Sequence, residues 1–108
     1  MADDLVLRVY HASDTLPADE RYGLRAQMRR GAISTASNIV EGCARQTEGE
    51  YRHFVNIAFG SAAEVRYLVG LAERLRYIST KAARELDSAY EDLLSGLNRL
   101  IAAIKGME

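Results

Sequence analysis

A glycine and a helix cap stand close together in the segment Gly42-Cys43-Ala44-Arg45-Gln46-Thr47-Glu48-Gly49-Glu50. Glycine is typical just past the end of a helix, and the Thr47-x-x-Glu50 spacing is that of a capping box, which begins a new helix. Apolar residues recur every three or four positions both before and after this segment. The segment therefore predicts a tight turn between two long amphipathic helices.

Four helices follow when the same spacing is traced along the rest of the chain, over residues 2–13, 17–42, 48–77 and 80–105. Pro17 is the only proline, and proline is tolerated in a first helical turn, so we expect the second helix to begin there. The connections are only a few residues long, and consecutive helices must therefore run antiparallel. We predict an all-α fold, an antiparallel up-down four-helix bundle, with residues 1–108 forming a single domain.

The composition fits one ordinary globular domain and excludes several classes of protein. The 108 residues include 14 Lys and Arg against 15 Asp and Glu, which gives a formal net charge of −1, and 48% of them are hydrophobic. Near-neutral charge argues against a generally basic nucleic-acid binder, and the apolar content argues against intrinsic disorder. A single cysteine, Cys43, permits neither an internal disulfide nor a cysteine-based zinc cage.

The sequence offers little material for catalysis. The two histidines, His11 and His53, have no further ligands at zinc spacing, and the glycines within the helical pattern do not form a phosphate-binding loop. We therefore expect no enzyme activity, no cofactor, no metal site and no small-molecule substrate. No run of 18 apolar residues occurs, and the first residues are acidic where a signal peptide is basic. We expect a cytoplasmic protein without a membrane partner.

Polar and small residues of the second and third helices fall into register across the predicted turn. A turn centred near residue 47 makes Arg30 face Glu64, Ser34 face Gly60 and Asn38 face Asn56. Residues four apart share one helix face, so each trio forms its own row. We predict a structural polar seam between the two helices, made by Arg30, Ser34, Asn38, Asn56, Gly60 and Glu64. The alternative is that these groups are solvated.

A basic cluster is the strongest functional signal in the sequence. Arg21, Arg25, Arg29 and Arg30 occur within ten residues that contain no acid, and the first three share one helical face. Arginine can grip phosphate through two hydrogen bonds, so the cluster is a candidate nucleic-acid site that Arg45 and Arg52 extend. The alternative is that Arg21 and Arg25 pair with acidic residues and form a solvated or intersubunit face; the candidate partners are Asp19, Glu20, Glu91 and Asp92.

The third helix carries more apolar surface than a four-helix core requires. Apolar or small residues occupy most positions from 57 to 69, which is wider than one buried face. Another molecule must cover the surplus, and we predict an oligomer interface at Ile57, Phe59 and Val69. We therefore expect a homo-oligomer.

The sequence also carries a family resemblance, in the runs LPADERYGL (16–24), QMRRGAIS (27–34), SNIVEG (37–42) and EYRHFVNIAFGSAAE (50–64). These runs resemble the bacterial four helix bundle protein family, which is also known as the 23S rRNA intervening-sequence protein family. The resemblance covers about residues 5–104. More distantly, the chain is similar to the accessory proteins of diversity-generating retroelements.

The resemblance implies an up-down bundle that forms a homo-oligomer, most often a ring-like pentamer, without known enzymatic activity. The retroelement accessory proteins resemble basic pentamers that bind a reverse transcriptase and nucleic acid, but this chain lacks their strong positive charge. Two functions remain open. The chain is either an oligomer that binds RNA, DNA or a nucleic-acid-processing protein through the arginines of its second helix, or a pure protein-interaction scaffold with those arginines at subunit interfaces.

Overall fold

Four α-helices and one short 3-10 helix form the computed structural model, which describes residues 1–107, with side chains for 1–106. The elements are α1 (Ala2–Ser13), the 3-10 helix (Ala18–Glu20), α2 (Leu24–Cys43), α3 (Glu48–Arg74) and α4 (Thr80–Met107). No strand occurs within this described part of the chain. Because α2 packs against α1 and α3, and α4 packs against α3 and α1, the helices close into a bundle of 46 × 23 × 18 Å. The predicted all-α four-helix bundle is confirmed.

Contacts between α2 and α3 show that the two helices run in opposite directions. A Cβ atom added at Gly31, early in α2, would lie 2.7 Å from the Val65 side chain, late in α3. A Cβ atom added at Gly42, at the end of α2, would lie 3.1 Å from the Tyr51 ring, near the start of α3. Both glycines are buried, and they permit the two helix backbones to approach closely.

The start of α3 follows the capping signal in the sequence. Thr47 is the N-cap residue, and its hydroxyl oxygen accepts a hydrogen bond from the Glu50 N–H at 3.2 Å. This bond satisfies one of the four N–H groups that have no partner within a helix at its N-terminus. The Thr47-x-x-Glu50 spacing therefore placed the beginning of α3 correctly.

The second helix begins at Leu24, not at Pro17 as predicted. Residues 18–20 form a 3-10 turn instead, and Gly23 is the N-cap of α2. The Glu20 carboxylate accepts a hydrogen bond from the Leu24 N–H at 3.1 Å. Glu20, whose negative charge suits the N-terminus of a helix, thus caps α2 from the preceding 3-10 turn. The predicted helix is therefore divided into this 3-10 turn and α2.

Apolar side chains from all four helices form a single core. Val9 of α1, Met28 of α2, Val65 of α3 and Tyr90 of α4 are all fully buried in it. Burial raises the pKa of the Tyr90 hydroxyl to about 12, because the charged phenolate would lose its hydration, although the nearby Arg8 guanidinium opposes the shift. Tyr90 is therefore neutral and structural over the physiological pH range.

Candidate functional site

Arg29, a central residue of the predicted basic cluster, is bound to the end of α1. Its Nε donates a hydrogen bond to the Ser13 hydroxyl at 2.8 Å, and its Nη2 donates to the Tyr10 carbonyl at 3.2 Å. The same Nη2 forms an ion pair with the Asp14 carboxylate at 2.7 Å, and the guanidinium carbon lies 4.4 Å from the centre of the Tyr10 ring. The hydrogen-bond donors and the charge of Arg29 are thus engaged by residues of the same chain.

Arg25 binds the same region one helical turn away. Its Nε donates to the Ser13 carbonyl at 3.2 Å, and its Nη2 donates to the Leu16 carbonyl. The last carbonyls of a helix have no partner within the helix, and basic side chains often satisfy them. Arg25 and Arg29 therefore act as a clamp that fastens the end of α1 and the connection after it to α2.

Arg45 and Arg52 lie near the turn between α2 and α3, away from this clamp. Arg45 pairs with Glu41 one turn earlier in α2, and its guanidinium carbon lies 4.9 Å from the centre of the Phe54 ring. Arg52 is half-buried on α3. Neither residue extends a continuous row of exposed cations from Arg29.

Only Arg21 and Arg30 of the predicted basic cluster are exposed. Arg21 lies outside α2, in the turn before it, and its guanidinium carbon is 5.8 Å from the Tyr22 ring centre. The four arginines therefore do not form one exposed row along α2 in this structure. The helix begins after Arg21, and two of its arginines are needed to hold α1.

Two of the four acidic partners suggested by the sequence are engaged elsewhere. Glu20 caps α2 at Leu24, and Glu91 of α4 lies 3.5 Å from Arg66 of α3. Within the described residues, no ion pair joins Arg21 or Arg25 to an acidic side chain. Arg25 and Arg29 are instead bound by carbonyls, a hydroxyl and Asp14, which sequence spacing did not indicate.

The polar seam between α2 and α3 is shifted by one residue from its predicted register. The Ser34 hydroxyl lies 2.9 Å from that of Ser61, not opposite Gly60. Asn38 donates back to Ser34 within its own helix, to the carbonyl at 2.8 Å and the hydroxyl at 3.1 Å. Because one position turns a side chain by about 100° around the helix, the shift places other residues of α3 at the interface.

Only part of the predicted seam comes together. Arg30, Ser34 and Glu64 line one polar depression of about 390 Å³, but no ion pair joins Arg30 to Glu64 among the described contacts. Asn56 and Gly60 are exposed on α3, and a Cβ atom at Gly60 would meet nothing within 4 Å. Among the described contacts, Arg30 and Glu64 thus share one depression without an ion pair, and no hydrogen bond joins Asn38 to Asn56.

The predicted oligomer interface on α3 is contradicted at one of its three residues. Val69 is 1% exposed and belongs to the core, so it has no surface to offer a partner. Phe59 is half-buried and packs against the core, and Ile57 is 38% exposed. The apolar width of α3 is explained mainly by its central position in the bundle, where it contacts both α2 and α4.

A group of exposed apolar side chains lies instead between α1 and α2. Leu7 is 69% exposed, Val40 is 65% exposed and Ile33 is 44% exposed. These three side chains line a single depression of about 390 Å³ together with Val6 and Ala36. We call this surface, formed by Val6, Leu7, Ile33, Ala36 and Val40, the α1–α2 apolar face.

A second basic cluster lies at the turn between α3 and α4. Residues 74–84 contain Arg74, Arg76, Lys81 and Arg84 but no acid, and all four side chains are exposed. We call this segment the basic turn. The sequence signal was present, since it is an acid-free run of four cations like that of residues 21–30, but sequence reasoning singled out only the run on the second helix.

An ion cluster joins the middle of α3 to α4. Arg66 Nε donates to Asp87 Oδ1 at 2.7 Å, and Arg66 Nη2 lies 3.3 Å from Asp87 Oδ2 and 3.5 Å from Glu91 Oε2. The hydrogen bond to Asp87 raises the pKa of the Arg66 guanidinium, although partial burial opposes the shift. This fork-like pair fixes the register of the two helices and has the geometry of a structural contact.

The described residues form neither a metal-binding cluster nor a membrane-spanning helix. No three His, Cys, Asp or Glu side chains gather to hold a metal ion in the part of the chain that the structure describes. No helix built from the described residues is both long enough and apolar enough to cross a lipid bilayer.

Comparison with known proteins identifies the family. The family profile described as 23S rRNA-intervening sequence protein matches residues 1–99. A crystal structure of a protein of unknown function from the S23 ribosomal protein family of Bacteroides thetaiotaomicron is similar in fold, with a TM-score of 0.86 and 21% identity. The similarity covers 93% of this chain and 94% of that one. No curated protein matched the chain. Because the profile spans nearly the whole sequence, the chain belongs to the 23S rRNA-intervening sequence protein family.

Proposed function

We propose that the chain is a non-enzymatic scaffold that assembles with copies of itself through the α1–α2 apolar face. The observation that carries the proposal is the contiguous exposure of Leu7, Ile33 and Val40 around one depression. Exposed apolar side chains that occur singly are normal, but a contiguous patch marks an interaction site. The family resemblance, which implies a homo-oligomer, supports the choice of a second copy as the partner.

Covering the α1–α2 apolar face is energetically favourable. Burying a large aliphatic side chain fully contributes about 1.5–3 kcal/mol relative to leaving it exposed. Leu7, Ile33 and Val40 each keep a substantial part of their surface in water in the isolated chain. A partner that covers all three side chains therefore gains the free energy of burying each of them at one contact. We propose that five copies associate, as the resemblance implies.

The geometry favours this scaffold over nucleic-acid binding through α2. A phosphate site needs arginine donors that are free to turn towards the ligand. Arg25 and Arg29 are already bound to α1 and to the connection after it, and only Arg21 and Arg30 of the cluster are exposed. Arg25 and Arg29 therefore have a structural role, which is to hold α1 against α2.

The test compares two isoleucines at matched exposure on different helices. Ile33 lies in the α1–α2 apolar face, whereas Ile57 lies on α3, where sequence analysis placed the interface. We expect Ile33→Asp to reduce the solution mass towards that of one chain, because the charge would be buried at the interface. We expect Ile57→Asp to leave the oligomer intact. Light scattering gives the mass, and circular dichroism checks that both variants stay helical.

The opposite result locates the interface elsewhere. If Ile57→Asp dissociates the assembly while Ile33→Asp does not, the subunits meet through α3 and the proposed face is wrong. An oligomer of unchanged mass in the Ile33→Asp variant is enough to reject the α1–α2 face.

A further inference from the structure

We propose that the basic turn, residues 74–84, binds the phosphate backbone of a nucleic-acid double helix. Its four cations are Arg74, Arg76, Lys81 and Arg84, and all are exposed. None of the four side chains makes an ion pair or hydrogen bond with another described residue. This separates them from the arginine clamp on α2, whose charges are used inside the chain.

The backbone of the basic turn is held in one conformation. The Tyr77 N–H donates to the Ala72 carbonyl and the Arg76 N–H donates to the Glu73 carbonyl, both at 2.9 Å. This is the Schellman pattern, and Arg76 takes the left-handed conformation it requires, with φ of 62°. The four cations therefore project from an ordered turn, and little backbone entropy is lost when they bind.

Two further contacts fix the basic turn to its surroundings. The Thr15 hydroxyl donates to the Tyr77 carbonyl at 2.6 Å, which joins the turn to the segment after α1. The Ser79 hydroxyl accepts from the Ala82 N–H at 3.1 Å and caps α4. Lys81 and Arg84 follow three residues apart in the first turns of α4, so they share one helix face. The cations thus lie on both the α3 side and the α4 side of an ordered turn.

The local charge is positive although the chain is nearly neutral. The basic turn carries four cations, and the acids next to it in sequence are Glu73, which is half-buried, and Glu85, which is exposed. Asp87 lines the same depression as Arg74, but it is paired with Arg66. A double helix presents one phosphate charge per ~1.7 Å of its axis, which is the density that such a cluster complements. Arginine adds paired hydrogen bonds to phosphate oxygens.

The surrounding side chains favour a double helix over other anionic partners. The one aromatic residue within 74–84, Tyr77, is half-buried, and the exposed Tyr67 that lies near Arg74 is a single ring, too little to stack successive single-stranded bases. Leu75 is the only large exposed apolar side chain in the segment, too little for the desolvated centre of a protein interface. Phosphate contacts without base stacking predict binding that is insensitive to sequence.

The experiment measures binding of a labelled ~20-base-pair DNA duplex by fluorescence anisotropy across a salt series, using the full chain in its native assembly. Four phosphate contacts predict a slope of about −3.6 in the plot of log affinity against log salt. The triple variant Arg76→Gln, Lys81→Gln, Arg84→Gln should lose at least ~10-fold in affinity, with a shallower slope. The variant Arg76→Lys, Arg84→Lys keeps the charges and should retain most of the binding.

A charge-matched control distinguishes this surface from the rest of the molecule. Arg21→Gln, Arg30→Gln, Arg99→Gln also removes three exposed cations, but none from the basic turn. We expect it to change the duplex affinity by no more than ~2-fold, since it removes no phosphate contact. Melting curves show whether each variant is folded.

Several results would overturn the proposal. These are no duplex binding at ~50 mM salt, equal losses in the test and control variants, or tighter binding of a single strand or of polyglutamate than of the duplex. The proposal does not rest on self-association. A chain that fails to assemble but binds the duplex refutes the scaffold alone, and an assembled chain that ignores the duplex refutes the basic turn alone.

Discussion

Arg29 illustrates how the surroundings of a side chain decide its function. In the sequence it belongs to a group of cations without an acid, which favours phosphate binding. In the structure its guanidinium binds a hydroxyl, a carbonyl and the Asp14 carboxylate, and it lies over the Tyr10 ring. Asp14 and Tyr10 precede it by more than a dozen residues, so helical spacing gave no sign of the contact.

Removing this arginine should weaken the attachment of α1. We expect Arg29→Ala to lower the free energy of unfolding by about 1–3 kcal/mol, because the buried Ser13 hydroxyl loses the Arg29 donor, the ion pair with Asp14 is lost and the end of α1 is released. Urea denaturation followed by circular dichroism measures the change.

Arg30→Ala is the matched control for the clamp. Arg30 is the next residue on the same helix, but it is exposed and makes no ion pair with a described residue. Its substitution should alter the free energy of unfolding by less than about 0.5 kcal/mol. Equal effects of the two substitutions would show that Arg29 does not hold α1.

At the scale of helices, local signals predicted the elements better than their exact ends and faces. The Thr47 cap located the start of α3 because a cap acts within one turn. The start of α2 was missed because Glu20 caps it from a separate 3-10 turn. Val69 was assigned to an outer face because the spacing of apolar residues does not show how wide an arc of α3 its two neighbouring helices bury.

The close approach of α2 and α3 depends on Gly31. A Cβ atom at this position would lie 2.7 Å from Val65, whose branched side chain is itself fully buried. We expect Gly31→Ala to lower the free energy of unfolding by about 1–3 kcal/mol, since overpacking forces the helices apart. Thermal or urea denaturation measures the loss.

Gly60 supplies the control for Gly31. It also lies within a helix of this pair, but a Cβ atom there would meet nothing within 4 Å. Because alanine is the better helix former, we expect Gly60→Ala to raise the free energy of unfolding by up to about 1 kcal/mol. The predicted effects are opposite in sign, and a stabilising Gly31→Ala substitution would contradict the packing described for α2 and α3.

For the whole molecule, composition gave the fold class reliably and the distribution of charge poorly. A formal net charge of −1 excludes a generally basic surface, yet four unpaired cations gather at the basic turn. Two acid-free runs of four cations exist in the sequence, at 21–30 and 74–84. Only tertiary contacts distinguish them, because the first run folds against α1 and the second projects into solvent.

The apolar surface of the molecule shows the same limit of sequence reasoning. An excess of apolar residues was recognised, and a partner was inferred to cover it. The helix was assigned incorrectly, since the excess on α3 is mostly core, whereas Leu7 and Val40 of the α1–α2 apolar face remain exposed. Hydrophobic periodicity identifies the buried side of a helix, but it does not show which apolar surface the neighbouring helices leave exposed.

The mass of the protein in solution tests the central claim, self-association, most directly. The chain has a mass of 12.0 kDa. At micromolar concentration, light scattering should give a multiple of this mass, and five chain masses for the proposed pentamer. The mass should change little with added salt, because the α1–α2 apolar face is held by burial and not by charge. A single-chain mass of 12.0 kDa under these conditions would contradict the account.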